Sequence, residues 1–242
     1  LYNPTRKFIE EQLSKFNIKV DYYDPLCSIK EFKKLIKKNT RLIFIESPGT
    51  ATFEIQNIPE ISKLAKKNNI VTIVDNTWAS FYYCNPFNLG ADIVIEAATK
   101  YINGHADVLL GIIASKKKYS KLIRNTAKSY GICCGSDELY LSLRGLRTLP
   151  VRIEKSQNNA LEMARYLEKN KLVSKVFHPA LNKHPTHNIW KRDFSGSTGL
   201  FSFELNKKYS NNSLEKFVKK LKIFKIGYSW GGFESLITFP TI

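Results

Sequence analysis

Apolar residues fall along this chain in short unbroken runs separated by amphipathic stretches. The run at 41–46, Arg-Leu-Ile-Phe-Ile-Glu, has the length of a buried strand and is stopped by Ser47-Pro48-Gly49. Residues 58–69 place Ile58, Ile61, Leu64 and Ala65 at helical spacing, with Pro59 in the first turn, where its missing N–H does no harm. A second run, Ile70-Val71-Thr72-Ile73-Val74-Asp75, follows. This β-α-β order predicts a right-handed parallel crossover, which brings both strand ends to one edge of a sheet. After a loop containing Pro86 and Gly90, a third run extends from Ala91 to Lys100, and residues 106–114 offer another strand with Asp107 at its start.

From about 137 to 170 the pattern becomes helical. Leu139, Leu143, Leu146 and Leu149 share one face, Pro150 is expected to bend the path, and Ile153, Ala160, Met163, Ala164 and Leu167 continue the apolar spacing. This segment reads as a connector between a domain at 1–149 and a smaller one at 150–242. Beyond it, 173–178, 199–205 and 224–230 read as strands, and 213–221 as a helix with Ser213 as N-cap. There is no internal repeat. The expected class is α/β, with a mostly parallel central sheet flanked by helices and a smaller α+β C-terminal domain.

Composition narrows the function classes. No apolar stretch approaches the roughly 18 residues of a membrane span, so no membrane partner is expected. The formal net charge is +17. It would suit nucleic acid, yet the lysines are scattered in short groups such as 116–118 and no nucleic-acid motif accompanies them; a solvated basic surface is the expected reading. Cys27, Cys84, Cys133 and Cys134 make no C-x-x-C, and no signal-like segment precedes them, which points to reduced thiols and a cytoplasmic location. His184 and His187 have no cysteine pair nearby, so no metal is expected. The chain opens at Leu1 rather than Met and closes just past an apolar run, the pattern of a piece of a longer protein.

The chemistry lies at the strand ends. In an open α/β sheet, ligands sit outside the carboxyl ends of the strands, and Glu46, Asp75 and Lys100 all fall there. A lysine preceded by Thr99, with a carboxylate closing the neighbouring strand, suggests an aldehyde cofactor. The amine would hold it as a Schiff base and the carboxylate would set the charge of its ring. Taken singly, Asp75 is an ordinary turn-capping aspartate and Lys100 one of many surface cations.

Several segments together resemble the Cys/Met-metabolism family of pyridoxal-phosphate enzymes. They are Val-Asp-Asn-Thr-Trp-Ala (74–79), Ala-Ala-Thr-Lys-Tyr (97–101), Gly-His-Ala-Asp (104–107) and Ser-Leu-Arg-Gly-Leu-Arg-Thr-Leu (142–149). Residues 192–203 and Tyr-Ser-Trp-Gly-Gly-Phe-Glu-Ser-Leu (228–236) look like its bacterial cystathionine β-lyase branch. The resemblance runs collinearly over essentially the whole chain and implies a fold-type I, PLP-dependent transferase-like architecture. It further implies that an N-terminal arm and a glycine-containing phosphate loop precede Leu1, and that a carboxylate-clamping arginine follows Ile242. On that reading the chain alone lacks a complete active site.

The resemblance also implies roles. Lys100 would carry pyridoxal 5′-phosphate and then act as base at Cα, Asp75 would pair with the ring nitrogen, and Thr99 would bind the phosphate. Many relatives have Ser where Ala97 stands, so one phosphate contact is missing. Tyr2 falls where the family places a ring-stacking tyrosine that assists proton transfer. Tyr228, Ser229 and Trp230 would approach the substrate. Trp230, where γ-synthases and γ-lyases typically have leucine, and Gly49-Thr50-Ala51 after Ser47-Pro48 fit the β-lyase branch. His105 is expected to support the loop after Lys100, and Arg144 and Arg147 to be surface or interdomain contacts. The implied reaction is α,β-elimination of L-cystathionine to homocysteine, pyruvate and ammonia, in methionine biosynthesis, by a homotetramer built from dimers. Alternatives are a cysteine-S-conjugate β-lyase, an alliinase-like lyase, a cystathionine γ-lyase or synthase, and an inactive basic binding protein.

Overall fold

A computed structural model describes residues 1–239. Its centre is a four-stranded sheet in the order β1 (Leu42–Glu46), β2 (Val71–Asp75), β3 (Ile93–Ala97), β4 (Gly111–Ser115). The first two pairings are parallel and β3–β4 is antiparallel. β1 and β2 fall where the apolar runs place them, and α3 (Ile58–Lys67) makes the crossover. β3 is shorter than expected. It stops at Ala97, and Ala98, Thr99 and Lys100 belong to a turn. Nor does the fourth strand begin near Asp107. It starts at Gly111, the register partner of Ala97.

Alternation along each strand decides what each face carries, because register partners project to the same side. Ile45, Val74 and Val94 pair across β1–β3 and pack with Ile58, Ile61 and Ala65 of α3, with Phe32 of α2 (Ile29–Leu35) behind them. That closed face continues at the strand ends as Asn76 and Glu96, both buried. Phe44, Ile73, Ile95 and the carboxylates of Glu46 and Asp75 occupy the other face, which is only half covered. The outer strand, β4, is mostly exposed.

Before the sheet lie α1 (Asn3–Glu11) and α2, the latter closed by a capping box in which Ser28 and Glu31 satisfy each other's backbone N–H. After it come α4 (Ser80–Tyr83, between β2 and β3) and α5 (Lys117–Ser129), which buries no residue. α6 (Ser136–Glu168) then runs through position 150 without interruption, although Pro150 lies inside it. Its buried stripe is Ser142, Gly145, Leu149, Ile153, Ala160 and Ala164. Of the leucine face expected from the sequence, Leu149 reaches the core, whereas Leu139 and Leu143 are exposed.

Leu149 and Ile153 enter a second core that joins Phe53, Ile55, Trp78, Tyr101, Phe177 and Phe194. This core draws residues from every part of the chain around the strand ends. Beyond α6, β5 (Val173–Phe177) pairs antiparallel with β6 (Ser202–Leu205), with α7 (His187–Asp193) between them. α8 (Asn211–Lys219) is capped by Ser210, whose hydroxyl accepts from the Ser213 N–H, so the cap lies three residues before the one expected. The expected strand at 224–230 reduces to β7 (Lys225–Ile226), paired with β8 (Leu236–Ile237). The rest of that segment, including Tyr228, Ser229 and Trp230, is loop.

Candidate active site

The site is built from the turn after β3, the end of β2 and the loop after β7. In the turn, the Lys100 N–H donates to the Ala97 carbonyl at 3.0 Å, Asn103 N–H to Ala98 at 2.8 Å and Gly104 N–H to Lys100 at 2.8 Å. These bonds fold the backbone back on itself and turn the lysine out of the sheet. Its ammonium nitrogen lies 3.1 Å from Ser229 Oγ and 5.1 Å from the centre of the Trp230 ring. Trp230 in turn packs on Tyr101, centroid to centroid 5.5 Å. The Gly231-Gly232 backbone rests directly on Lys100, Tyr101 and Ala106.

Among the described residues, no carboxylate forms an ion pair with Lys100. Partial burial lowers its pKa from the ordinary 10.5, as expected for a cation with little to compensate its lost hydration. The direction is the one a nucleophilic amine needs.

Asp75 closes β2 beside Glu46 in register. Its Oδ1 accepts from the Thr77 N–H at 3.0 Å and the Thr77 hydroxyl at 2.5 Å. The same hydroxyl accepts from the Ala97 N–H at 2.9 Å. Thr77 therefore ties the carboxylate to the last residue of β3, three residues before Lys100. Burial raises the Asp75 pKa above 3.8, the Thr77 hydrogen bonds oppose it, and Glu46 adds a smaller push upward. A carboxylate held this way, with no cation paired to it among the described residues, is suited to a cationic ring nitrogen. Together with the amine of Lys100, it supplies the two group types a pyridoxal ring would need, an amine for the aldehyde and an anion for the ring nitrogen. The role of Thr77 had not been read from the sequence, although the Asp-x-Thr spacing of an Asx turn signals it.

The remaining expected residues sort as follows. Thr99 lies in the same turn, and its hydroxyl accepts from the Leu110 N–H at 2.9 Å while facing the Leu110 carbonyl at 3.3 Å. Tyr2 is exposed, and its backbone N–H donates to Glu46 Oε2 at 2.6 Å, which sets it at the strand end next to Asp75. Tyr228 is 84% exposed. His105 is exposed and meets the Asn103 carbonyl at 2.7 Å. Glu96, unremarked in the sequence, is buried behind Asp75, accepting from Asn76 Nδ2 at 2.9 Å. Burial raises its pKa from 4.5 to about 7, against the Asn76 hydrogen bond and with a further push from Asp75.

Comparison with known proteins identifies the family. Residues 1–242 match the family described as Cys/Met metabolism PLP-dependent enzyme. The chain is 44% identical over 236 residues to an L-alanine/L-glutamate racemase of Wolbachia pipientis, covering 98% of this chain and 58% of that protein. It is 40% identical to the cystathionine β-lyase of Haemophilus influenzae, covering 98% and 60%. The crystal structure of cystathionine γ-lyase from Lactobacillus plantarum complexed with L-serine superposes with a TM-score of 0.93 at 30% identity, over 98% of this chain and 61% of that one. The chain thus spans about six tenths of the length of these relatives.

Proposed function

Because the chain belongs to the Cys/Met metabolism family of PLP-dependent enzymes, its cofactor is pyridoxal 5′-phosphate, and we propose that it serves a carbon–sulfur lyase that cleaves L-cystathionine by α,β-elimination. The observation that carries the proposal is the convergence of Lys100, Ser229 and Trp230 from segments 129 residues apart, with the Asp75 carboxylate fixed nearby by Thr77. Relatives called cystathionine β-lyase, 36–40% identical in five bacteria, and the presence of Trp230 support the β-elimination reading.

When bound, the cofactor supplies an electron sink for the pair released at Cα. Lys100 would hold the cofactor covalently, and its amine would be free to act as a base once substrate is bound. That amine, whose pKa partial burial lowers from the ordinary 10.5, would take the Cα proton. The same nitrogen then stands ready to return a proton to the departing homocysteine sulfur. Ser229 holds that amine by its hydrogen bond, so the base remains aimed while it changes protonation state. Trp230 would shield one side of it. Asp75 would hold the ring nitrogen, and Thr99 would hold the phosphate. Tyr2 and Tyr228, both exposed, would flank the substrate entrance. Water then converts the three-carbon remainder to pyruvate and ammonia.

The division at 149/150 would fall within α6, making that helix the shared spine of both domains. A homotetramer of dimers would cover Leu139 and Leu143 on α6, Leu122 on α5 and Leu109 and Ile113 around β4, all exposed here. No helix among the described residues is long and apolar enough to cross a membrane, and the four cysteines are free, which supports a cytoplasmic location.

The racemase relative supports a second reading, in which Lys100 removes and returns the Cα proton of a simple amino acid. The test is direct. Borohydride reduction of the cofactor-loaded protein, followed by peptide mapping, should leave the pyridoxyl label on Lys100. Incubation with L-cystathionine should then give pyruvate. 2-Oxobutyrate would mark γ-elimination, and D-alanine formed from L-alanine would favour the racemase reading. An unlabelled Lys100 would remove the mechanism altogether.

A further inference from the structure

The turn that carries Lys100 is gripped from behind by a residue of α6. The Arg152 guanidinium donates from Nη1 to the Tyr101 carbonyl at 2.9 Å, and from Nη2 to the Ile102 carbonyl at 3.3 Å and the Gly145 carbonyl at 2.7 Å. Its Nε donates to Thr148 Oγ1 at 2.9 Å. Neither the Tyr101 nor the Ile102 carbonyl receives a backbone N–H among the described residues. The helix also approaches closely: a Cβ on Gly145 would stand 2.1 Å from the Asn103 carbonyl oxygen.

We propose that Arg152 is a positioning residue for the attachment lysine, setting where the Lys100 amine stands by fastening the two peptide groups that follow it to α6. The proposal rests on the assignment of Lys100 as the cofactor anchor. Arg152 has no carboxylate partner among the described residues, and its acceptors are neutral. Ion pairing therefore does not explain its place. Burying half of a guanidinium without a counter-charge is costly, and charge-assisted bonds to backbone oxygens offset that cost. Only the planar fork of arginine reaches carbonyls on two separate elements at once.

The position is also prepared by its surroundings. Pro150, two residues earlier, has no N–H to offer the Leu146 carbonyl, in the stretch of α6 that the Arg152 side chain spans on its way back to Gly145. On the other side, Gly104 has φ +72°, and a Cβ there would meet Nη1 at 1.8 Å. The segment between Lys100 and Gly104 thus closes over the guanidinium. A shift of about 1 Å at a reacting group can cost roughly 100-fold in rate, which gives a residue one shell away its leverage.

The test uses the cofactor-loaded protein and its cofactor-free form. Arg152→Met keeps the apolar stem and removes the donors. Arg152→Lys keeps the charge with a single donor centre. Gly104→Ala displaces the fork while leaving arginine in place. All three should exchange the amide hydrogens of 100–104 about tenfold faster in the cofactor-free form, as expected for losing hydrogen bonds to a charged group. In the loaded enzyme, kcat should fall roughly 10- to 100-fold with KM within about threefold, and borohydride labelling of Lys100 should slow in step. Combining Arg152→Met with Gly104→Ala should cost little more than either alone.

Wild-type-like exchange, together with an unchanged kcat and labelling rate, would overturn the proposal. So would a loss confined to KM. If Arg152→Met does not fold, the lysine and alanine variants decide the question by the same readouts. Failure of the wild-type protein to label at Lys100 refutes the anchor assignment instead, so the two readings fail separately.

Discussion

Replacing Glu96 by glutamine should change how stability depends on pH. Glu96 is 8% exposed, on the closed face of the sheet, and its side-chain oxygen accepts from Asn76 Nδ2. Burial first, and Asp75 second, hold its proton on until about pH 7 instead of 4.5. Between those values the folded state binds a proton that the unfolded chain has released. Stability therefore declines as pH rises from about 4.5 through 7, then levels off. At ~1.4 kcal/mol per pH unit, the full effect is about 3 kcal/mol. Glutamine cannot ionise and lacks this decline.

The assay is urea denaturation of both proteins at intervals between pH 5 and 8.5. The quantity of interest is the difference in unfolding free energy between them. Other shifted groups, such as His178, whose burial lowers its pKa to about 4, titrate in both proteins and cancel. Glutamine should gain on the wild type by ~2–3 kcal/mol from the acidic to the basic end, equivalent to roughly 4–12 °C in Tm for a chain of this size. Two parallel stability curves would show that Glu96 ionises as if it were in water, and the argument from burial would fail.

Further expectations concern the site and the core. Asp75→Ala should leave the fold largely intact but reduce kcat for pyruvate release by roughly 100-fold or more and weaken cofactor retention, measured by absorbance after gel filtration. Trp230→Leu should raise the ratio of 2-oxobutyrate to pyruvate, read by chromatography of the derivatised keto acids; an unchanged ratio would mean that the ring does not select the reaction. Ile153→Ala, at a fully buried position, should cost about 2–5 kcal/mol in denaturant titration and leave KM within error.

The legible part of the fold is where the chain's own pattern sets the outcome. β1 and β2 are continuous apolar runs because both their faces are covered to some degree, and each ends on an acid that cannot enter the core. β3 was read three residues too long because Ala97, Ala98 and Thr99 are as compatible with a strand as with a turn. The hydrogen bonds that end the strand come from Lys100 and Asn103, beyond the apolar run. α5 does carry a signal, since Tyr119, Leu122, Ile123 and Ala127 recur at helical spacing, although none of them becomes fully buried. The start of β4 depends on its pairing with β3, which is a non-local fact. Ser210 rather than Ser213 caps α8, a choice between two serines that propensity does not separate.

The site divides along the same line. Lys100 and Asp75 stand out because a β-α-β unit brings strand ends together by topology alone. Resemblance to a family, not spacing, brought Ser229 and Trp230 to them. Thr77 had a local signal in its distance from Asp75. Arg152 and Glu96 had none. One acts on carbonyls about 50 residues away, and the other is distinguished only by how thoroughly it is enclosed.

The bond between Lys100 and Ser229 bridges 129 residues, and this has a consequence for the order of events during synthesis. The sheet, α3 and the lysine turn are complete long before Ser229 leaves the ribosome. A growing chain can therefore display a formed strand edge and an exposed amine while the hydroxyl and indole that cover it do not yet exist. If Lys100 holds the cofactor, its retention is expected to depend on docking of the segment around Ser229, and so to come after the sheet has formed.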